Sequence, residues 1–322
     1  MNFTPAVIAQ RVKEAENRIR NYIRETPIEF SHYLSEIGGC NVYLKLENQQ
    51  ITGSFKIRGA LNKLLSIPKN KAVTTASSGN HGLAVAYALS ITGGLGTIYL
   101  PKTTTQTKID ALRKQKTKII FYGADCQKTE IFARKVAKEE GKEFISPYND
   151  IEIISGQGTI GVELVRQIDH IDSLLVSVGG GGLISGIAGL LKDYNPGIEI
   201  IGCLPENSPV MYESVKSGKI IEMESKPTLS DGTAGGIEPN AITFDLCQRF
   251  IDKFIIVNEE EIKDGIRFIL AKHHMIIEGA AGVTVASFLK EKNNFKGKNV
   301  VIIICGANIG LDQLKSILCL KS

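Results

Sequence analysis

Tryptophan is absent from the 322 residues, and cysteine occurs only 6 times. Cys40, Cys126, Cys203, Cys247, Cys305 and Cys319 lie far apart, with no Cys-x-x-Cys step and no paired histidine spacing. That pattern argues against a thiolate-rich zinc site and fits a reduced, cytosolic setting. His273 and His274 are adjacent and leave a helix on different sides, which argues against a shared metal. Neither charge sign dominates: the net charge is +4, with both signs spread along the chain. With no basic block and no basic stripe interleaved with aromatics, nucleic acid is not an expected partner. No apolar run reaches the roughly 18 residues of a membrane span, so no membrane partner is expected either. The N-terminus has no signal pattern. Residues 5–25 predict an amphipathic helix instead, with Val7, Ile8, Val12, Ala15, Ile19, Tyr22 and Ile23 on one face. There is no tandem repeat.

What is present is the composition of a globular protein, 43% apolar and 22% charged, with length for one large or two medium domains. Thr26-Pro27 breaks the first pattern, and 41–47 alternates as a strand. A regular succession follows: strand 72–76, helix 81–91, strand 96–100, helix 105–115, strand 118–122, helix 127–140 and a short strand at 143–145. After Ser146-Pro147-Tyr148-Asn149-Asp150 a second succession begins. It has a helix over 158–168, strand 173–178, helix 183–193 and strand 199–203. Residues 222–240 predict a long loop, of the kind that is often functional. Helices over 242–250, 259–273 and 280–291, a buried strand over 299–305 and a last helix complete the pattern. The fold class is α/β, with two open, mostly parallel sheets flanked by helices and one cleft between them.

Lys56 stands between a turn and a helical stripe. Ile57, Ala60, Leu61, Leu64 and Leu65 recur at helical spacing and predict a helix over 54–65, with Thr52-Gly53 as the turn and Ser54 as N-cap. The first turn of a helix is a poor place for a structural cation and a good one for an amine that must shed its proton. Such a lysine can form a Schiff base with an aldehyde. Read alone, it is a solvated surface lysine.

Two strand-to-helix junctions change that context. In Thr74-Thr75-Ala76-Ser77-Ser78-Gly79-Asn80-His81-Gly82, small residues allow close backbone approach and the first helical amides suit a carboxylate or phosphate. An ordinary βα turn is the alternative. In Ser177-Val178-Gly179-Gly180-Gly181-Gly182-Leu183-Ile184-Ser185-Gly186, four successive glycines cost backbone entropy, and make sense where several amides wrap one anion. Neither the dinucleotide pattern nor the P-loop pattern is met, so this loop predicts a monophosphate cup, with a flexible turn as the alternative. Cys305-Gly306-Ala307-Asn308 follows the last buried strand at its carboxyl end, where ligands of open α/β sheets bind. A free cysteine there is also a small core hydrophobe. Glu278 opens the helix over 280–291 and complements its dipole.

A reactive lysine, a carboxylate loop and a monophosphate cup together describe a pyridoxal phosphate enzyme. Gly53-Ser54-Phe55-Lys56-Ile57-Arg58-Gly59-Ala60, Ser77-Ser78-Gly79-Asn80-His81-Gly82, Gly179-Gly180-Gly181-Gly182-Leu183 and Cys305-Gly306-Ala307-Asn308 occur in this order. Over nearly its whole length the chain resembles the serine/threonine dehydratase and serine racemase family, fold type II pyridoxal phosphate enzymes with a tryptophan synthase β-like fold. Through Ser230-Asp231-Gly232-Thr233-Ala234-Gly235-Gly236-Ile237-Glu238-Pro239 it resembles most the branch that includes hydroxyectoine-utilisation dehydratases.

The resemblance implies a large cofactor-binding domain from 1–47 and 146–322, a small mobile domain over 48–145, and a homodimer. It implies that Lys56 carries the cofactor and removes the α-proton, that Phe55 packs beside the cofactor ring, and that Asn80 bonds the ring's phenolic oxygen. Gly179, Gly180, Gly181, Gly182 and Leu183 would hold the phosphate. Glu278 would join the cofactor set, and Cys305 would face the pyridine nitrogen. Ser77, Ser78, Gly79, Asn80 and His81 would take the substrate carboxylate.

The implied reaction is α,β-elimination, a dehydratase (ammonia-lyase) converting L-threonine, L-serine or a related 3-hydroxy amino acid to a 2-oxo acid and ammonia. Ser78, opposite Lys56, keeps an amino-acid racemase open as the alternative. A non-catalytic phosphate-ligand protein is the third reading. Three departures from the family pattern matter. The family's divalent-cation pattern Glu-x-x-x-Ala-x-Asp is not met, since Glu206 is followed by Val210 and Tyr212, and no metal is expected. Glu238 stands where many relatives have glycine and either recognises a substrate side chain or braces the loop. No C-terminal regulatory module, and so no feedback control by isoleucine, is expected.

Overall fold

A computed structural model describes residues 3–124 and 126–319. Helix α1 (Pro5–Ile19) is capped by the Thr4 side chain and passes into a 3-10 turn at Arg20–Tyr22, so the expected helix over 5–25 ends early. Strand β1 (Ile28–Phe30), helix α2 (His32–Gly38) and strand β2 (Asn41–Lys45) follow, then a 3-10 turn at Glu47–Gln49 and helix α3 (Lys56–Ser66). The first succession is β3 (Val73–Ala76), α4 (Asn80–Thr92), β4 (Gly96–Leu100), α5 (Gln106–Arg113), β5 (Lys118–Phe121), α6 (Cys126–Glu139) and β6 (Glu143–Phe144). The second begins with α7 (Ile151–Gln167), β7 (Ser173–Ser177), α8 (Gly182–Tyr194), β8 (Glu199–Pro205) and α9 (Val210–Ser217). It continues with α10 (Ile242–Phe250), β9 (Lys253–Val257), α11 (Glu259–His273), α12 (Gly279–Glu291), β10 (Asn299–Ile303) and α13 (Leu311–Leu318).

The strands form two sheets. One has six strands in the order β1-β2-β10-β7-β8-β9, and the other four in the order β5-β4-β3-β6. Every pairing is parallel except β1 with β2. Parallel strands covered by helices on both faces must be apolar throughout. Accordingly β7 is buried at every position and β10 at all but its first. This is the expected two-domain α/β architecture of parallel sheets flanked by helices.

Several local expectations fail for identifiable reasons. Ser54 is not the N-cap of α3; Phe55 holds that position. Ser54 pairs with Gly306 in an isolated antiparallel bridge, which keeps it extended and leaves its hydroxyl buried without a partner. Helix α7 begins at Ile151 rather than near 158, because the Asp150 side chain accepts from the Glu152 and Ile153 amides at 2.8 and 3.3 Å. Its first turns carry Gly156 and Gly158 where apolar periodicity would have appeared. A Cβ at Gly156 would lie 2.6 Å from the Arg58 carbonyl oxygen, and one at Gly158 2.8 Å from that of Gly186. The glycines are what let α3, α7 and α8 meet. The elements β1, α2, α9 and β9 are additional to those the sequence pattern predicts.

Beneath α3 lies a buried charge cluster. Arg58 is fully buried, and its guanidinium donates to both oxygens of Glu47 at 2.8 and 2.7 Å and both oxygens of Glu163 at 2.8 and 2.9 Å. Lys45, also fully buried, donates to Glu163 at 2.5 Å, and Arg20 reaches the same carboxylate at 2.6 Å. Burial alone would raise the Glu163 carboxyl, but Arg58 and Lys45 overcome it and hold the pKa at about 2. For Lys45 burial wins, and its ammonium is lowered despite Glu163 and Glu47. Removing one charge from such a cluster strands the others. Glu163→Gln is therefore expected to cost about 3–5 kcal/mol of stability, read as a lower urea midpoint with an unchanged slope.

Candidate active site

The loops that the sequence singled out meet at the carboxyl ends of the strands. The 77–79 loop joins β3 to α4, the glycine run joins β7 to α8, and residues 304–308 leave β10. The bridge from Ser54 to Gly306 and the Phe55 amide bond to the Cys305 carbonyl at 3.1 Å set the start of α3 against the end of β10. Lys56 is thereby fixed in the cleft. Its Nζ donates to the Pro147 carbonyl at 2.9 Å and lies 5.2 Å from the Phe55 ring centroid. Burial lowers its pKa to about 8, against the opposing pull of Cys305 and Glu278. A neutral amine is thus within reach near neutral pH, as a nucleophile or base requires.

Glu278 is the buried hub on one side of the cleft. Both its oxygens accept from Asn80 Nδ2 at 2.9 Å, and Oε2 also accepts from the Asn308 amide at 3.0 Å. Asn308 closes the ring, donating from Nδ2 to Asn80 Oδ1 at 2.7 Å and to the Thr52 carbonyl at 2.9 Å. Gly306 admits the carboxylate, since a Cβ there would lie 2.6 Å from Glu278 Oε1. Burial raises Glu278 to about 7, although the Asn80 and Asn308 bonds favour its charged form. Glu278 is thus a buried bridge as well as the residue that opens α12.

Cys305 is buried, and its sulfur accepts from the Ser177 hydroxyl at 3.5 Å. Burial, reinforced by Glu278, pushes its thiol well above the usual range, so it stays neutral. His81 is buried with Nε2 3.0 Å from the Ile145 carbonyl, which fixes a proton on that nitrogen. Burial, with Lys56 nearby, lowers its pKa to about 3. The ring braces the end of the four-stranded sheet, and what His81 presents to the cleft is its amide at the start of α4. Ser77 accepts from the Gly79 amide at 3.2 Å. Ser78 is half-buried, and a Cβ at Gly79 would meet open space.

The glycine run is shaped by neighbours that the sequence did not single out. A Cβ at Gly179 would lie 2.8 Å from Thr233 Cα, and one at Gly180 2.3 Å from Tyr148 Cγ. Gly181 has φ +85° and a Cβ there would lie 2.7 Å from Cys247 Sγ, so both conformation and space demand glycine. Leu183 is buried behind the loop. Tyr148 and Thr233 thus form the walls of the cup. The Ser146–Asp150 segment signalled only a break in the sequence pattern, and Asn308 was visible in its motif without a role. Glu238 accepts from Arg134 Nη2 at 2.6 Å, Ser146 Oγ at 3.3 Å and Asn149 Nδ2 at 3.1 Å.

Glu278 gives a stability signature in the cofactor-free protein. Its folded-state pKa of about 7 exceeds the ordinary 4.5, so between those values the folded chain binds more protons than the unfolded one. Stability then falls as pH rises through that window. Urea unfolding at about pH 5 and about pH 8 is expected to show a loss of roughly 1–3 kcal/mol, flattened in Glu278→Gln.

The residues present fit pyridoxal phosphate. The glycine run passes closely by Tyr148 and Thr233 into the start of α8, where the first amides lack intrahelical partners. Two fully buried hydroxyls lack partners: Ser54 Oγ, two residues before Lys56, and Thr243 Oγ1, whose residue adjoins Gly181. Residues 19–306 match the family model of pyridoxal-phosphate dependent enzymes. The chain is 39% identical over 315 residues to the L-threonine ammonia-lyase of Thermotoga maritima, covering 97% of this chain and 78% of that one. It resembles the processed form of threonine deaminase isoform 2 from Solanum lycopersicum with a TM-score of 0.92 at 32% identity, covering 97% and 92% of the two chains. Maize serine racemase follows with a TM-score of 0.90 at 31% identity, covering 96% and 95%. A half-buried lysine with a lowered pKa at a helix start, a glycine run at the start of α8 and these likenesses along nearly the whole chain agree: it belongs to the pyridoxal-phosphate dependent enzymes, within the serine/threonine dehydratase and serine racemase family.

Proposed function

We propose that this chain is an ammonia-lyase that converts L-threonine, L-serine or a related 3-hydroxy amino acid to a 2-oxo acid and ammonia. The observation that carries this reading is the Lys56 amine, its pKa lowered to about 8, near His81 and bonded to Pro147, whose neighbour Tyr148 packs on Gly180 of the glycine cup. When bound, pyridoxal phosphate supplies the electron sink for the pair left when the α-proton departs.

The chain's own residues supply the rest. The amides of Gly179 to Leu183 would hold the phosphate, and Phe55 and Asn80 would hold the ring. The neutral Cys305 thiol, bonded to Ser177, would offer the ring nitrogen no fixed negative charge, which suits elimination. The 77–79 loop and the first amides of α4 hold the substrate carboxylate. Lys56 Nζ takes the α-proton, and the β-hydroxyl leaves with a proton as water. The resulting enamine takes up a proton at its β-carbon to become the imine, and water adding at the imine carbon displaces ammonia and leaves the 2-oxo acid.

Racemisation is the second reading, and Ser78 favours it. Its half-buried side chain lies in the substrate loop, where a hydroxyl can return a proton to the opposite face. Chiral analysis of products from L-serine separates the two: oxo acid without D-serine supports the lyase. The domain division proposed is 1–47 with 146–322 against 48–145. It is supported by the six-stranded sheet drawing all its strands from the first set and the four-stranded sheet from the second. The proposed assembly is a homodimer, and the proposed setting is a reducing cytosol, in keeping with free buried thiols at Cys40, Cys203, Cys247 and Cys305.

Lys56→Ala is expected to lower ammonia release from L-threonine by roughly a thousandfold or more, and its cofactor absorbance should no longer change with borohydride. Wild-type protein that stays colourless with added cofactor would sink the proposal. Gly180→Ala forces a methyl against the Tyr148 ring. An overpacking cost of about 1–3 kcal/mol corresponds to a roughly ten- to hundredfold weaker cofactor dissociation constant, measured by titrating the cofactor-free protein.

A further inference from the structure

Glu238 lies in the long 222–240 loop, and its polar atoms meet α6 and the Ser146–Asn149 segment. Its carboxylate accepts from Arg134 of α6 at 2.6 Å, from Ser146 Oγ at 3.3 Å and from Asn149 Nδ2 at 3.1 Å. Its backbone amide donates to the Tyr148 hydroxyl at 2.8 Å. Asn149 continues the chain of bonds, its Oδ1 accepting from the Ile242 amide at the start of α10 at 2.9 Å. Arg134 is itself held on two other sides, by Glu130 at 2.9 Å and by the Phe144 ring, 4.1 Å from the guanidinium carbon.

The segment gripped in this way is the one that touches the chemistry. Pro147 gives its carbonyl to Lys56 Nζ, and the Tyr148 ring is the wall of the glycine cup at Gly180. The carboxylate of Glu238 is engaged by three protein donors, so it is not a free acceptor for a substrate cation. In the loop around it Gly235 has φ +115° and Asn240 φ 57°, and a Cβ at Gly235 or Gly236 would meet open space. The Arg134–Glu238 pair is partly exposed, with side-chain exposures of 35% and 22%. An ion pair left partly in water is weak, which suits a tie that is broken and remade as a cleft opens and closes.

We propose that Arg134 and Glu238 are positioning residues: together they latch α6 to the 222–240 loop over Ser146–Asn149, and so set the Pro147 carbonyl and the Tyr148 ring for substrate binding. This rests on the lyase reading for its kinetic consequence but not for its structural one. Opening the latch loosens the substrate face of the cleft without removing Lys56 or the cup.

The test uses the holoenzyme and its Arg134→Gln, Glu238→Gln and doubly substituted forms, with the charge exchange Arg134→Glu plus Glu238→Arg as rescue. Without substrate, amide hydrogen exchange over 146–149 and 234–241 is expected to quicken about tenfold in each single variant and no further in the double. With L-threonine, KM is expected to rise about tenfold while kcat stays within about threefold, with partial recovery in the exchanged pair. Unchanged exchange rates would overturn the proposal, as would single effects that multiply in the double variant. It is equally overturned if Glu238→Gln alone alters preference among substrates of different side-chain charge while Arg134→Gln is silent, because Glu238 would then be a substrate ligand. Should the parent release no ammonia, the lyase reading fails and the exchange measurement alone decides the latch.

Discussion

The cluster of Arg58, Glu47, Glu163 and Lys45 is the constraint on which the site depends. Arg58 is two residues from Lys56 on the same helical turn, and its five bonds run to Glu47, Glu163 and Thr159. One guanidinium thus fixes α3 to the turn after β2 and to α7 at once. A planar, always-charged group with a rigid set of donors can do this; a lysine could not satisfy both carboxylates in that geometry. Buried ion pairs contribute little net stability, because desolvation consumes most of the attraction. What the cluster supplies is direction: α3 can be docked in one rotation only, and that rotation faces Lys56 into the cleft.

Close backbone contact extends the same constraint. Gly59 lies against Gln157 and the Ile153 carbonyl, and Gly156 lies against Arg58 and Gly59. Helices that meet through glycine leave little room to rotate or slide. On the cleft's other side the 222–240 loop is tied by the Glu238 carboxylate and amide as well as by packing of Thr233 on Gly179.

Elements with strong periodicity were legible in the sequence. The alternation from β3 to β6, the buried run of β10 and the junctions at 77–82 and 179–183 all stand where pattern and turn chemistry placed them. The start of α7 was hidden because Gly156 and Gly158 replace the apolar residues that would mark its face, although they are there for helix contact. Lys45 and Arg58 looked like ordinary charged residues, since burial of a charge leaves no local signal. Glu238 could be named as unusual but not interpreted, because its partners at 134, 146 and 149 come from distant sequence. Ser54 satisfied every local rule for a cap and was claimed instead by a bridge to Gly306.

Strand order carries a consequence for how the chain comes to be folded. β10, the last strand in the sequence, lies between β2 and β7 in the six-stranded sheet. The β1–β2 pair therefore has no place to dock until residues near 303 have been synthesised, whereas the four-stranded sheet draws only on 73–144 and can assemble on the ribosome long before. The nascent large unit must hold an open slot between two apolar neighbours through most of its synthesis. That places the period of greatest vulnerability to wrong pairing late, and makes insertion of β10 the step that commits the chain to its native form.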